Sequence, residues 1–416
     1  MLTWLVNKAF ASVVRTGRLT VVLPGGEALA FGDGSGQPVR IRFTDRGSII
    51  GVLTNPDLRL GEAFTDGRMI MEQGTVYDLL CLIMSQPSEP RKPLERFIER
   101  SRRAWSLWRQ QNLPGQSRRN VAHHYDLGDD FYALFLDPDW QYSCAYFESD
   151  DQSLADAQLA KKRHIAAKLL VRPGDRVLDI GCGWGGLGLY LAEVADAASV
   201  VGVTLSEEQL ARARSRASRS PRGDRLDFRI QDYRAVPETF DRIVSVGMFE
   251  HVGLNFYDTF FATCRERLTE DGVMLLHTIG SSDEPTVTNP WMTRYIFPGG
   301  HLPSLSDLAP AIERSGLVVT DVEVLRLHYA KTLRAWHDAF DARRAEAEAM
   351  FDARFCRMWE FYLSLSEAAF RHEDIVIFQL QLARRQENVP VTRDYLPLAE
   401  AALRQAEAGT ARKDAA

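Results

Sequence analysis

The sequence predicts an α/β protein: a mainly parallel sheet covered on both faces, preceded by a small α+β unit. Three observations carry that expectation. From about residue 120, the apolar runs "DRVLDIGCGWGG", "ASVVGVTLS", "LDFRIQDYR", "FDRIVSVGMFEHVG" and "GVMLLHTIG" each stop at a polar or glycine turn, with helical stretches between them. Short strands that are apolar on both sides suit a parallel sheet flanked by helices. Residues 1–86 follow another pattern, and at 416 residues the chain is long enough for two separate cores.

The elements follow in order. "MLTWLVNKAFASVV" is broken by Asn7 and Lys8 and has no secretory cleavage pattern, so it is expected to be an amphipathic start. "LTVVLPGGEALAFGDG", "VRIRFTDRGSIIGVLT" and "GEAFTDGRMIMEQG" alternate apolar and polar residues between glycine turns and are expected as short strands. "TVYDLLCLIM" then gives a helix that closes a small α+β domain, residues 1–86. Prolines mark a boundary, and 87–120 forms a basic amphipathic linker. Leu94, Phe97, Ile98, Trp105 and Trp108 share one helical face there, beside Arg96, Arg100, Arg102 and Arg103. That helix either packs on a domain or meets anionic lipid head groups. Residues 121–390 form the main domain, whose strand region "LVVTDVEVLRLHYAKTL" leads into helical segments through residue 387. The stretch 391–416 is expected as a frayed helix and a disordered tail.

Composition narrows the function classes. With 45% apolar and 25% charged residues the chain is an ordinary globular protein, and a net charge of −6 argues against a nucleic-acid binder held by overall charge. No apolar run approaches the roughly 20 residues of a bilayer span. Five scattered cysteines, with no CxxC or HExxH spacing, disfavour both a disulfide framework and a metal site. A cytoplasmic protein that meets membranes only from their surface is the expectation.

"LDIGCGWGG" places Asp179 at a strand end, followed by Gly181, Gly183, Gly185 and Gly186. Glycines there let the backbone turn tightly and approach a ligand. The spacing also fits a dinucleotide site, which wants a carboxylate at the tip of the next strand. Here that strand ends in Thr204 and Ser206. The lead-in "DIGCGWGG" and the later "QDYR" at 231–234 instead resemble a class I S-adenosylmethionine-dependent methyltransferase, a Rossmann-like fold with a mainly parallel seven-stranded sheet. Thr204 departs from the generic pattern, where an acid is usual.

Longer stretches make the resemblance specific. "HHYDLGDDFYALFLDPDWQYSCAYF", "RVLDIGCGWGG", "VGVTLSEEQ", "DRIVSVGMFEHVG", "LLHTIG" and "NPWMTRYIFPGGHLPS" resemble the cyclopropane fatty-acid synthases, in that family's order, over most of residues 120–387. The N-terminal unit resembles the extra domain of the members that act on bacterial phospholipids. The resemblance implies methyl transfer from S-adenosylmethionine to the cis double bond of an unsaturated phospholipid acyl chain, at the inner face of a membrane. Ring closure then needs a proton acceptor, which in the family is bicarbonate. A homodimer is also implied. A methyl-branched or methylene product from the same chemistry, or a lipid-binding protein with an idle fold, stays as an alternative.

Site residues carry over on their motifs. A cysteine among aromatics, as Cys144 is in "YSCAYF", is by itself most often a core residue. The resemblance makes it the wall of an anion pocket, with Glu250 of "MFEHVG", His277 and Ile279 of "LLHTIG", and Tyr329 of "HYAKTL". His251 competes with His277 for the imidazole role, and Tyr329 is expected at a strand end. For the cofactor, Tyr142 and Ser143 would close over the methionine end, with Asp179, Gly181 and Gly183 beneath. Thr204 and Gln209 would reach the ribose, and Asp232 and Tyr233 the adenine. The arginine-rich "ARARSRASRSPRGDR" has two readings, a solvated helix face or a contact for lipid phosphate. Some family members carry a cysteine where this chain has Ser366 in "FYLSLSEAAF", which puts in doubt a covalent nucleophile there.

Overall fold

A computed structural model of the chain describes residues 2–87, 127–284 and 288–414. The linker residues Leu94, Phe97, Ile98, Trp105 and Trp108, with their neighbouring arginines, lie outside the described residues. The chain divides into two compact units.

The first unit takes its described residues from the N-terminal stretch, from the segment ending at Pro298, and from Leu333–Asp374. Its sheet runs β2-β1-β3-β4, with β1 Arg18–Val22, β2 Ala28–Phe31, β3 Pro38–Phe43 and β4 Met69–Gln73. Alternation buries Leu19, Val21, Ile41 and Phe43 on one face. Two of the expected strand stretches turn out to be partly helical. After Phe43 the alternation stops at Asp45, whose side chain accepts from Ser48 N at 2.8 Å and caps the helix Arg46–Thr54. Pro56 then opens the helix Pro56–Thr65 from its first turn. "TVYDLLCLIM" is the helix Val76–Met84, started by a Thr75/Asp78 capping box. The helices Pro290–Tyr295 and Ala353–His372 also belong to this unit. The division therefore differs from the expected boundary at residue 86, because two later segments join the N-terminal unit.

The second unit holds a seven-stranded sheet in the order β10-β11-β9-β8-β5-β6-β7. The strands are β5 Arg176–Ile180, β6 Ser199–Thr204, β7 Leu226–Ile230, β8 Phe240–Val246, β9 Leu268–Ser281, β10 Val318–Val324 and β11 Ile375–Ala383. β5 to β9 are parallel, and β11 lies antiparallel between β9 and β10. The mainly parallel α/β class is as expected, and the period of two explains its double core. Leu178, Ile180, Val201 and Ile243 pack on one face, Val177, Val200 and Val244 on the other.

Three expectations are corrected here. Residues 375–383, taken as helical, form β11. "IVIFQLQLA" alternates with period two, but its glutamines are buried and pair inside the protein, with Gln379 reaching His277 and Gln381 reaching Lys168 O. Tyr329 is not at a strand end, because β10 stops at Val324 and the helix His328–Ala342 carries it. The C-terminal stretch is the helix Tyr395–Asp414 rather than a frayed tail. It packs on the helix Leu154–Lys168, where Glu407 takes Arg163 and Tyr190 at 2.7–3.0 Å and Glu400 takes His164 Nδ1 at 2.7 Å.

Candidate active site

The carboxyl ends of β5, β6 and β8 open onto one cavity, the position where parallel α/β sheets bind ligands. Its wall carries every residue expected to hold the cofactor: Tyr142, Ser143, Asp179, Gly181, Gly183, Thr204, Gln209, Asp232 and Tyr233. The glycine turn is shaped by necessity at Gly181. Its φ is +84°, and a Cβ there would stand 2.6 Å from Met248 Cβ. Gly186 is less constrained, since a Cβ there would meet the movable end of Gln141, Nε2, at 2.3 Å.

Each wall residue is held in place locally. Thr204 Oγ1 donates to Gln209 Oε1 at 3.0 Å and accepts from Ser206 N. Asp232 caps a short turn and takes Arg234 through Nε at 2.9 Å and Nη2 at 2.6 Å. Tyr233 stands edge-on to Phe260. Asp179 is buried, and its Oδ2 has no hydrogen-bond partner among the described residues. Burial pushes its carboxyl up to about 7, against the pull of the Lys161 charge. A glycine cradle open to backbone approach, with an unsatisfied buried carboxylate beside it, fits the amino-acid end of S-adenosylmethionine.

Sequence reasoning missed several wall residues. Lys161, Trp140, Gln141, Trp184, Met248 and His251 all line the cavity. Trp140 holds φ +62°, with the Arg212 guanidinium 3.3 Å over its ring, and Arg212 also reaches Asp129 Oδ2 at 3.0 Å. The arginine-rich stretch is thus tied down within this unit. Arg214 donates to Phe228 O at 2.9 Å, Arg216 pairs with Asp139, and Arg225 reaches Asp196 at 2.6 Å. Nothing in the spacing of "AKKRHIAAK" flags Lys161, because buried and solvated lysines look alike in a sequence.

Cys144, Glu250, His277, Ile279 and Tyr329 do not line this cavity and are buried or half-buried around it. Glu250 follows β8, two residues beyond the wall residue Met248, and its Oε1 accepts from Ile279 N at 2.6 Å. Ile279 thereby orients Glu250 with its amide. Glu250 Oε2 is buried without a partner among the described residues, and burial raises the carboxyl above its ordinary range despite the Ile279 hydrogen bond. His277 receives Gln379 Nε2 on Nδ1 at 3.1 Å, which leaves its proton on Nε2, also buried and without a partner among the described residues. Burial holds this imidazole down at about 3, so it is neutral at any working pH. His251, its competitor, is pushed down to about 4 by burial and faces the cofactor cavity instead. Cys144 is fully buried, and burial drives its thiol well up, which removes it as a thiolate nucleophile. Thr332 links Cys144 to Tyr329. Its Oγ1 accepts from Ala145 N at 3.0 Å, and it sits one turn beyond Tyr329 on the same helix. The Lys161 charge acts on Cys144, Asp179 and His277 alike.

Sheet order and cavity together define a class I S-adenosylmethionine-dependent methyltransferase. Comparison with known proteins places it further. The family model for mycolic acid cyclopropane synthetase matches residues 114–380. The chain is 40% identical over 353 residues to the cyclopropane-fatty-acyl-phospholipid synthase of Escherichia coli K12, covering 84% of this chain and 89% of that protein. It is 38% identical over 265 residues to cyclopropane mycolic acid synthase 1 of Mycobacterium tuberculosis, covering 61% of this chain and 92% of that one. Among solved structures, the cyclopropane synthase MmaA2 of M. tuberculosis superposes with a TM-score of 0.61 at 35% identity, covering 64% of this chain and 98% of that chain. A mycolic acid cyclopropane synthase complexed with SAH and CTAB gives 0.61 at 37% identity, covering 64% and 97%. The chain belongs to the cyclopropane synthase family of methyltransferases.

Proposed function

We propose that the protein converts the cis double bond of an unsaturated phospholipid acyl chain into a cyclopropane ring, working as a homodimer on the cytoplasmic face of a membrane. The likeness over 89% of the E. coli phospholipid enzyme favours phospholipid over the mycolic acids of the shorter relatives. None of the helices among the described residues is long and apolar enough to cross a membrane, which suits a surface-working enzyme.

S-adenosylmethionine supplies an electrophilic methyl group. The chain must position a poor nucleophile, the alkene, against that methyl and keep water away, because positioning provides much of the rate. Methylation leaves a cation on the acyl chain, and closing the ring requires loss of a proton from the added methyl. Bicarbonate supplies the proton acceptor. The observation that carries this reading is two buried atoms without a hydrogen-bond partner among the described residues, His277 Nε2 and Glu250 Oε2. One is a donor suited to an anionic oxygen, the other an acceptor suited to a hydroxyl, and bicarbonate has one of each. Glu250, raised by burial, is suited to take up the proton in turn. Cys144 and Tyr329 complete the wall.

The test uses purified protein, the cofactor and vesicles of monounsaturated phosphatidylethanolamine and phosphatidylglycerol. Proton NMR of the recovered lipid should show the high-field ring methylene signals. A methyl-branched or methylene product, which shares no such signal, would overturn the reading, as would intact lipid.

A further inference from the structure

Lys161 lies within the helix Leu154–Lys168, is 1% exposed, and lines the cofactor cavity. An ammonium taken this far from water is costly unless its charge and its three donors are met. Among the described residues its hydrogen-bond partners are two neutral oxygens, Gln141 Oε1 and Ser143 Oγ, each at 2.7 Å. The carboxylates nearest in influence are already engaged. Asp137 accepts the amides of Asp139 and Gln141, and Asp139 pairs with Lys162 and Arg216. Burial accordingly pulls Lys161 down to about 8.

Asp179, on the same wall, shows the opposite deficit: a buried carboxylate with one oxygen unpartnered among the described residues. The other charged pair on the wall, Asp232 and Arg234, satisfies itself through two hydrogen bonds. Under the glycine turn the cavity therefore offers one cation and one anion that share no hydrogen bond or ion pair among the described residues. An α-amino acid zwitterion matches that arrangement, with its carboxylate and ammonium on one carbon.

We propose that Lys161, together with the Ser143 hydroxyl it holds, binds the carboxylate of the cofactor's amino-acid end while Asp179 faces the ammonium. This rests on the S-adenosylmethionine reading of the cavity. It makes Lys161 a determinant of cofactor specificity in addition to a brace for the 141–143 loop.

Calorimetric titration of the full chain with S-adenosylhomocysteine, and with its decarboxylated analogue, separates the two roles. Wild type should prefer S-adenosylhomocysteine by on the order of 10–100-fold, as expected for a charge-assisted contact in a dry site. Lys161→Met should erase that preference, weakening S-adenosylhomocysteine while leaving the analogue within about 3-fold. Ser143→Ala should reduce the preference by a smaller factor. Equal weakening of both ligands by Lys161→Met would reduce the residue to a brace and overturn the proposal. So would a wild type that binds the two ligands alike, a result that stands even if Lys161→Met does not fold. Failure of wild type to bind either ligand would instead sink the cofactor reading itself.

Discussion

The cofactor cavity and the proposed anion site share one sheet but are assembled on opposite plans. The cavity is made of short contiguous stretches, 140–143, 179–184, 203–205 and 231–234, most of them at strand ends, so backbone geometry shapes it. The proposed anion site draws residues singly from 144, 250, 277, 279 and 329; Ile279 bonds Glu250 directly, while Gln379 holds His277 and Thr332 holds Ala145, next to Cys144. Damage to the first should therefore appear in cofactor affinity and stability, and damage to the second in the chemical step.

The sharpest break of that comparison comes from Glu250→Gln. It keeps the shape and should leave binding of S-adenosylhomocysteine within about 3-fold, while ring formation falls on the order of 10²–10⁴-fold, the usual worth of a placed base. Near-normal turnover would remove Glu250 from proton transfer. Gly181→Ala attacks the other region. With φ at +84° and a Cβ 2.6 Å from Met248, it should lower stability by about 1–3 kcal/mol in a urea melt and weaken cofactor binding by roughly 10-fold or more. Turnover at saturating cofactor should suffer far less than in Glu250→Gln.

Acid should report on the anion site through stability. His277 titrates near 6.5 unfolded but about 3 folded, so between those values the unfolded chain binds the extra proton. Stability contributed by the neutral ring is complete above pH 6.5 and is lost as pH falls toward 3. From pH 7 to pH 5 this one group should remove about 2 kcal/mol. His277→Gln should show a shallower loss over that range, and an unchanged slope would mean the ring is accessible to protons. His251 adds a parallel loss in both proteins and cancels in the comparison. The smallest effect is expected at Ser366→Ala, where turnover should stay within about 2-fold. A large loss would reopen a role for that position in the chemistry.

The two plans also explain what the sequence made legible. Residues 179–184, 203–205 and 231–233 act through local backbone form, and their motifs carry them to the cavity wall. Lys161 was not legible, because "AKKRHIAAK" has the look of a solvated face. In the fold Lys161, Lys162, Arg163 and His164 are all buried, partly because the C-terminal helix brings Glu400 and Glu407 to meet them. β11 was missed for a related reason. Gln379 and Gln381 read as surface residues until their buried partners, His277 and the Lys168 carbonyl, are known. Tyr329 was tied to a strand end because "VEVLRLHY" continues the β10 pattern past Val324, whereas the chain turns into a helix at His328. Those errors all concern partners distant in sequence, which local patterning cannot register.

The anion site's role is tested most directly by a bicarbonate titration. Wild-type protein, saturating cofactor and unsaturated phospholipid vesicles would be combined in buffer stripped of carbon dioxide, and ring formation followed as bicarbonate is restored. The account predicts a low rate without bicarbonate that rises to saturation in wild type and stays flat in Glu250→Gln. Ring formation at full rate in the stripped buffer would contradict it.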